Sequence, residues 1–255
     1  MRILSVAQTY YPYLAGGGRP VKVRAIAEGL VARGHEVTVL TADYGSARVS
    51  PGTPDLRDRP SRFGRRGSRN GVDVIYLRTA LEYRWVTLNP PLLEFCRSAL
   101  RGFDVVHIYG VYDAIGPVVA AYCRRYGIPY VLEPIGMFRP ISRSILVKRL
   151  YHRLLGARLA EGAAAVVATS EQERAELIEA GVAPDRVVVR RNGVAAPDVA
   201  PVRGTFRRRF GIAPDAWVVL FLGRLVRKKG PDLLVRAFAR AGDRLGFDLL
   251  IEAIK

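Results

Sequence analysis

The sequence predicts an α/β protein with one complete doubly wound parallel-sheet domain, followed by the incomplete start of a second, Rossmann-like one. Short apolar runs rich in valine, isoleucine and leucine alternate with amphipathic stretches of helical period, which is typical of βαβ units. Glycine follows several helical stretches, as at Gly34 and Gly127, where it ends a helix in the left-handed conformation. With 255 residues, 49% of them hydrophobic, the chain is large enough to bury a substantial core.

Seven strands are expected before residue 191, each a short run in which β-branched residues are frequent. They are Arg2–Ala7, Glu36–Thr41, Val72–Leu77, Asp104–Ile108, Pro129–Glu133, Ala164–Ala168 and Arg186–Arg190. The helices expected between them are Pro20–Arg33, about Pro91–Leu100, Ala114–Tyr126, a basic helix from about Ser142 to Leu159, and one from Ser170 to Gly181. The last helix opens with a predicted capping box, in which the Ser170 hydroxyl and the Glu173 carboxylate satisfy each other's backbone amides. Residues from about Tyr44 to Asn70 are expected to form a loop.

The domain boundaries follow from a change in composition. Residues 1–196 form the predicted first domain, and residues 197–215, which carry three prolines and mixed charge, form a linker with a short helix at Phe206–Phe210. Residues 216–255 begin a second domain. Its predicted elements are a strand at Trp217–Leu222, a helix from about Pro231 to Ala241 and a strand at Phe247–Ile251.

The net charge is +17, and 35 of the 40 cationic side chains are arginine. Such a charge attracts nucleic acid, anionic lipid and nucleotides alike, so it does not select the partner. The chain has no apolar run of the about 18 residues that would span a bilayer, and its first residues are too short an apolar segment for a signal peptide. A cytoplasmic location is expected, with Cys96 and Cys123 as buried free thiols.

Two arginine-rich stretches leave two interpretations open, a solvated surface or contact with an anionic membrane at its inner surface. Their residues are Arg57, Arg59, Arg62, Arg65, Arg66 and Arg69 in the first, and Arg139, Arg143, Lys148, Arg149, Arg153 and Arg158 in the second. The second stretch has the amphipathic, basic pattern of helices that lie on membranes. In the first stretch Phe63 is the single aromatic residue, so the aromatic side chains that stack nucleobases are absent and nucleic acid is not the expected partner.

The segment from Gly223 to Gly230 follows a continuous apolar run, as expected for the end of a buried parallel strand. Gly223 is expected to allow a tight turn there. Arg224 and Lys229 would then stand where open α/β sheets bind ligands, and their charges suit a diphosphate. A solvated basic loop is the alternative.

A second glycine-rich turn, Gly16-Gly17-Gly18, connects the first strand to the first helix. Glycine lets the backbone approach a ligand closely, and the following helix directs its amides at an anion. The spacing differs from the G-x-G-x-x-G signature of dinucleotide sites, and a flexible turn is the alternative.

In their order and spacing, these motifs resemble the retaining nucleotide-sugar glycosyltransferases of family four. The resemblance covers nearly the whole chain apart from the loop after Tyr44. The segments that carry it are Tyr11-Pro12 with the glycine turn, Gly29-Leu30, Arg33 to Val37, Asp104 to His107, Ile128 to Val131, Glu171 to Leu177, Arg191 to Val194, and Gly223 to Gly230.

The resemblance implies the GT-B fold, in which two Rossmann-like domains face a cleft, with the acceptor mostly on the first and the donor on the second. It implies that Arg224 and Lys229 hold the donor diphosphate and stabilise its departing charge, with no metal or other cofactor. It places the glycine turn at the donor phosphate or the acceptor. It places Asn192 and Gly193 close to the cleft.

Two departures from the family pattern stand out. Where many members have a histidine that contacts the transferred sugar, this chain has Ile135, followed by Gly136. Glu133 and His107 are candidates to compensate, and a structural role for each is the alternative. The paired glutamates that hold the donor ribose in the family lie beyond the Gly230 segment, and the 255 residues do not include them.

The resulting expectation is transfer of a sugar, with retention, from a nucleotide-sugar donor to a saccharide or lipid-linked acceptor. Little or no catalysis is expected from residues 1–255 alone. The alternatives are a non-catalytic ligand-binding fragment, a basic module that associates with membranes or nucleic acid, and a nucleotide-sugar epimerase on the same fold.

Overall fold

The computed structural model describes residues 1–50, 58–83, 85–138, 156–194, 199–200, 202–223, 225–245 and 247–253. Its strands are β1 Arg2–Ala7, β2 Glu36–Ala42, β3 Arg59–Ser61, β4 Gly64–Arg69, β5 Val72–Leu77, β6 Leu81–Tyr83, β7 Val86–Leu88, β8 Val105–Tyr109, β9 Tyr130–Glu133, β10 Ala165–Ala168, β11 Val187–Val189, β12 Trp217–Gly223 and β13 Phe247–Ala253. Its helices are α1 Gly18–Val31, α2 Pro91–Ser98, α3 Ile115–Tyr126, α4 Ala157–Glu161, α5 Glu171–Glu179, α6 Thr205–Phe210 and α7 Pro231–Leu245. The chain divides into two compact units, Met1–Asn192 and Gly193–Lys255.

The first unit is built on one sheet with the strand order β11-β10-β9-β8-β1-β2-β5-β4-β3. The seven strands from β11 to β5 pair in parallel, which confirms the predicted doubly wound sheet. The chain runs outward in one direction from β1 through β2 to β5, and in the other from β8 to β11. The direction reverses between β1 and β8, and ligands of open α/β sheets bind at the carboxyl ends of the strands beside such a switch point.

The core lies between this sheet and its helices. Strand residues such as Leu4, Val39, Val106, Leu132 and Val166 are fully buried. The parallel strands read as nearly continuous apolar runs because helices cover both faces of such sheets. Cys96 and Cys123 are buried free thiols, as expected, and burial raises the pKa of each to about 12.

The predicted loop between Tyr44 and Asn70 is wrong for residues 59–69. These residues form the antiparallel strands β3 and β4, which extend the sheet beyond β5. On β4, Arg65 donates to the Asp43 carboxylate at 2.7 Å and to the Tyr13 hydroxyl at 2.9 Å, and it also pairs with Asp58. Arg65 is therefore part of a local ion-pair network rather than a solvated charge. The basic segment 139–155 lies outside the described residues.

A separate hairpin of β6 and β7 follows β5 and forms its own two-stranded sheet. This hairpin was not predicted from the sequence. In the second unit, β12 and β13 pair in parallel from Trp217 opposite Phe247 to Gly223 opposite Ala253, with α7 between them in the sequence. No helix within the described residues is long and apolar enough to cross a membrane.

Candidate functional site

The glycine turn lies at the switch point of the sheet. Gly17 has φ 93° and ψ −151°, a conformation essentially restricted to glycine, and α1 begins at the next residue. The N-cap residue Gly17 has no side chain that could cap this helix, and a Cβ added to Gly18 would meet no atom within 4 Å. The start of α1 thus has space for a ligand, and the helix dipole favours an anion there.

The loop after β8 faces this turn from the other side of the switch point. Asp113 is buried, accepts a hydrogen bond from the Gly116 amide at 2.9 Å, and lies 3.7 Å from Arg19 in the first turn of α1. Burial raises the pKa of the Asp113 carboxyl. Gly110, with φ 94°, leaves room for the Arg19 guanidinium, because a Cβ there would lie 2.9 Å from it. Arg19 connects α1 to the neighbouring loop and brings a cation close to the glycine turn.

Glu133, at the carboxyl end of β9, is the centre of a buried charge cluster. Its side chain is fully buried; Arg190 donates to it at 2.6 Å, Lys22 forms an ion pair with it, and His107 Nε2 lies 3.3 Å from Oε2. Burial alone would raise the Glu133 pKa, but His107 and Lys22 outweigh that effect and lower it to about 2. Burial lowers the pKa of His107. A carboxylate with so low a pKa, surrounded by Arg190, Lys22 and His107, favours the structural alternative over proton transfer.

The loop after β9 carries the two residues that replace the family's histidine context. Ile135 has φ 58° and Gly136 φ 65°, so two successive residues are left-handed. That conformation costs a β-branched residue about 1–2 kcal/mol. The Gly136 amide donates to Oε1 of Glu173 at 2.6 Å, and the Thr169 amide and hydroxyl both donate to Oε2 at 2.7 Å. Glu173 therefore holds the loop in this conformation from α5.

The capping box predicted at the start of α5 is confirmed for Ser170 and wrong for the Glu173 side chain. The Ser170 hydroxyl accepts from the Glu173 amide at 3.1 Å, as predicted. The Glu173 carboxylate does not return to the Ser170 amide, because it is occupied by Gly136 and Thr169. Only the tertiary fold brings the Gly136 amide to this helix, since 37 residues separate the two partners.

Replacing Glu173 by alanine should lower the free energy of unfolding by about 2 kcal/mol, because the Gly136 amide and the Thr169 amide and hydroxyl all lose a buried, charged acceptor. Glu171→Ala is the matched control, since it removes an exposed carboxylate from the same first turn and should change stability by less than about 0.5 kcal/mol. Urea unfolding of both variants measures the difference. Equal losses would show that the helix dipole, rather than the Gly136 contact, makes Glu173 stabilising.

The remaining predicted site residues lie at the boundary between the two units and within the second unit. Asn192 and Gly193 are exposed and follow β11. Gly223 is the last residue of β12, opposite Ala253, and it is buried; the turn expected after it begins at a residue outside the described ones. Lys229 is exposed in a 3-10 turn, and Arg224 lies outside the described residues. No three His, Cys, Asp or Glu side chains group as metal ligands within the described part of the chain.

Lys22, Arg190 and the loop-binding role of Glu173 were not predicted from the sequence. The role of Lys22 could have been predicted from its position one helical turn after the glycine turn, because a long side chain there reaches the ends of the neighbouring strands. No sequence feature indicates the roles of Arg190 and Glu173, because their partners are distant in the sequence.

A family model described as a glycosyl transferase 4-like domain matches residues 17–193. The chain belongs to the glycosyl transferase 4-like family. The match begins in the glycine turn and ends just after β11, so the family unit contains the switch point, the Glu133 cluster and the Ile135 loop. This membership confirms the resemblance on which the site residues were assigned.

Individual relatives agree with the family assignment. The chain is 31% identical over 231 residues to the D-inositol 3-phosphate glycosyltransferase of Kineococcus radiotolerans, with 88% of this chain and 52% of the relative covered. The chain thus spans about half the length of the curated relatives that it matches.

Solved structures confirm a GT-B-like fold. Sucrose-phosphate synthase from Thermosynechococcus elongatus superposes with a TM-score of 0.65 at 19% identity, covering 98% of this chain and 61% of that one. HepE from Anabaena, in complex with UDP-glucose, superposes with a TM-score of 0.63 at 18% identity, covering 98% and 60%. At these identities the likeness shows the fold of this glycosyl transferase 4-like chain.

Proposed function

We propose that the protein that carries this chain transfers a sugar from a nucleotide-sugar donor to a saccharide or lipid-linked acceptor, with retention of configuration. The observation that carries the proposal is the family match over residues 17–193, because that segment presents the open glycine turn at the switch point of the sheet. The UDP-glucose complex of HepE supports a nucleotide-sugar donor, and the name of the Kineococcus relative supports the transfer of a glycosyl group.

In this proposal the first unit orients the reacting groups. The Gly18 amide, at the start of α1, binds an anionic or hydroxyl oxygen of the donor or acceptor, while the Gly17 amide donates to the Leu14 carbonyl at 3.0 Å. Ile135 and Gly136 line the position of the transferred sugar, and Glu173 keeps them there. Glu133 is a positioning residue that holds Lys22 and His107 in place. Because its pKa is about 2, the carboxyl is ionised near neutral pH and is a poor proton donor or acceptor there.

The second unit supplies the charge that the reaction needs. Arg224 and Lys229 neutralise the diphosphate as the bond to the sugar breaks, which is electrostatic stabilisation of the leaving group. In this role they replace a metal ion, and no metal or other cofactor is required. Asn192 and Gly193 form the exposed connection at the end of the first unit.

We further propose that the protein is cytoplasmic and makes peripheral contact with an anionic membrane. The net charge of +17 supports this contact, since a strongly cationic surface is attracted to anionic lipid. A nucleic-acid partner is not proposed.

Incubation of the full-length protein with UDP-, ADP- and GDP-sugars tests this function. Nucleoside diphosphate release should depend on a saccharide acceptor, and NMR should show the donor's anomeric configuration in the product. An inverted product, or an epimerised sugar without transfer, would contradict the proposal. Thermal-shift assays on the 255-residue chain then distinguish sugar transfer from the alternative of binding without catalysis. Stabilisation by saccharides but not by nucleotide sugars would indicate a unit that binds acceptors without reacting.

A further inference from the structure

The hairpin of β6 and β7 has an unusual distribution of apolar side chains. Leu81 lies opposite Leu88, and Tyr83 opposite Val86, so these four residues share one face of the two-stranded sheet. Their exposed fractions are 65%, 58%, 69% and 44%. We call this surface the hairpin face.

The other face of the hairpin is polar and points inward. Thr87, only 2% exposed, accepts a hydrogen bond from the Gln8 side chain at 2.7 Å and donates to Asn89. Its cross-strand partner Glu82 accepts from Arg48 at 2.8 Å. These bonds hold the strand register, because a shift by one residue would place apolar side chains against buried polar groups. The hairpin is thus inverted relative to an ordinary surface hairpin, with its polar side inside.

A cationic residue lies next to the hairpin face in the chain: Arg78 is exposed and precedes β6. The chain as a whole carries a net charge of +17, which attracts it to anionic lipid. Glu82, the carboxylate of the hairpin, is already paired with Arg48. Projecting apolar side chains with a tyrosine, bordered by arginine, match the interfacial layer of a membrane that carries anionic lipid.

We propose that the hairpin face inserts into the interfacial layer of an anionic lipid bilayer and docks the first unit there. The hairpin follows β5 at the carboxyl edge of the sheet, the edge that also carries the glycine turn. Docking therefore brings the bilayer to the side where the acceptor is expected. The meaning of this contact for catalysis rests on the proposed transfer to a membrane-proximal acceptor, but vesicle binding itself requires no turnover.

Vesicle sedimentation with phosphatidylcholine, alone or mixed with phosphatidylglycerol, tests the docking on the 255-residue chain. The Leu81→Ser/Leu88→Ser variant should bind the anionic vesicles at least about tenfold more weakly than the parent chain, because two apolar side chains leave the interface. The matched control is Leu225→Ser/Leu233→Ser, which changes two leucines of similar exposure, 58% and 66%, in the second unit. The control should bind as the parent does. Equal loss in both double variants would overturn the proposal.

Tryptophan fluorescence gives a second measurement that leaves the hairpin unaltered. The chain has two tryptophans, so Trp217→Phe leaves Trp85, next to the hairpin face, as the single reporter. Brominated phosphatidylcholine in the anionic vesicles should quench its emission. Binding without quenching would overturn the proposal. So would a concentration-dependent dimer that the Leu81/Leu88 variant abolishes while vesicle binding persists, because that result assigns the face to a second copy of the chain.

Discussion

Replacing Glu133 by glutamine should lower the free energy of unfolding by about 3 kcal/mol, as expected when one partner of a buried ion pair is removed. The change keeps the side-chain volume, so the loss reports on charge rather than on a cavity. Lys22, whose side chain is 12% exposed, and Arg190 would both lose their carboxylate partner. Guanidinium unfolding at neutral pH measures the difference.

A second substitution separates the ion pair from other effects of the change. Adding Lys22→Met to Glu133→Gln replaces the pair by uncharged groups, and it should recover part of the lost stability. The variant Glu171→Gln, which removes an exposed carboxylate, serves as the control for net charge. A loss below about 1 kcal/mol in the single Glu133 variant would show that water screens the cluster.

The same cluster predicts how stability depends on pH. The pKa of Glu133 falls from 4.5 to about 2 on folding, so its contribution is complete above about pH 5 and is lost as the pH falls through about 2. The pKa of His107 is also lowered, by burial, so protonation of the unfolded chain below about pH 6.5 destabilises the fold in the same direction. Unfolding between pH 7 and pH 2 should therefore show a steeper loss in the parent chain than in Glu133→Gln.

Replacing both Arg224 and Lys229 by alanine should reduce sugar transfer by the full-length protein at least about a hundredfold, the usual effect of removing charge stabilisation from a leaving group. Transfer should slow because the negative charge that develops on the departing diphosphate would no longer be stabilised by the two cationic side chains. The control is Arg236→Ala/Arg240→Ala, which removes the same charge from exposed positions on α7 and should leave transfer near the parent rate. Steady-state assays with the donor identified by the nucleotide-sugar panel measure both variants.

Ligand binding by the same variant tests whether the cations act on phosphate. The Arg224/Lys229 variant should bind the nucleoside diphosphate more weakly and the free nucleoside equally well, because only the former carries the charges. Weakened binding of both ligands would point to a folding defect in the second unit. Undiminished transfer would remove Arg224 and Lys229 from the site.

The parallel sheet was predictable because its signal is local. The strand Val72–Leu77 and the helix ends at Gly34 and Gly127 were recognised from runs of six apolar-rich residues and single glycines, and the structure has them where they were expected. Each such signal depends on residues adjacent in the chain. The switch point follows from the number and order of the strands. The position of the glycine turn at the carboxyl edge of the sheet could therefore also be predicted from the sequence.

The two hairpins were not predictable in this way. β4 reads Gly-Arg-Arg-Gly-Ser-Arg, which has almost no apolar content, and it forms because β5 offers a free edge and Asp43 and Asp58 bind Arg65. β6 and β7 carry their apolar residues outward, which is opposite to the pattern that indicates a buried strand.

The sequence by itself determined the α/β class, the seven parallel strands, the glycine turn and the family. Each of these depends on hydrophobic periodicity or on the order of short motifs, and both can be recognised without knowing which distant residues are in contact. Only the tertiary structure decided what surrounds each candidate side chain. The fold brings Lys22, His107 and Arg190 next to the Glu133 carboxylate. It also directs the Glu173 carboxylate to the Gly136 amide in the Ile135 loop, where the sequence had predicted a bond to the Ser170 amide. The physical reason is that the charge state and orientation of a buried group depend on partners up to 111 residues away, which the fold alone brings within a few ångströms.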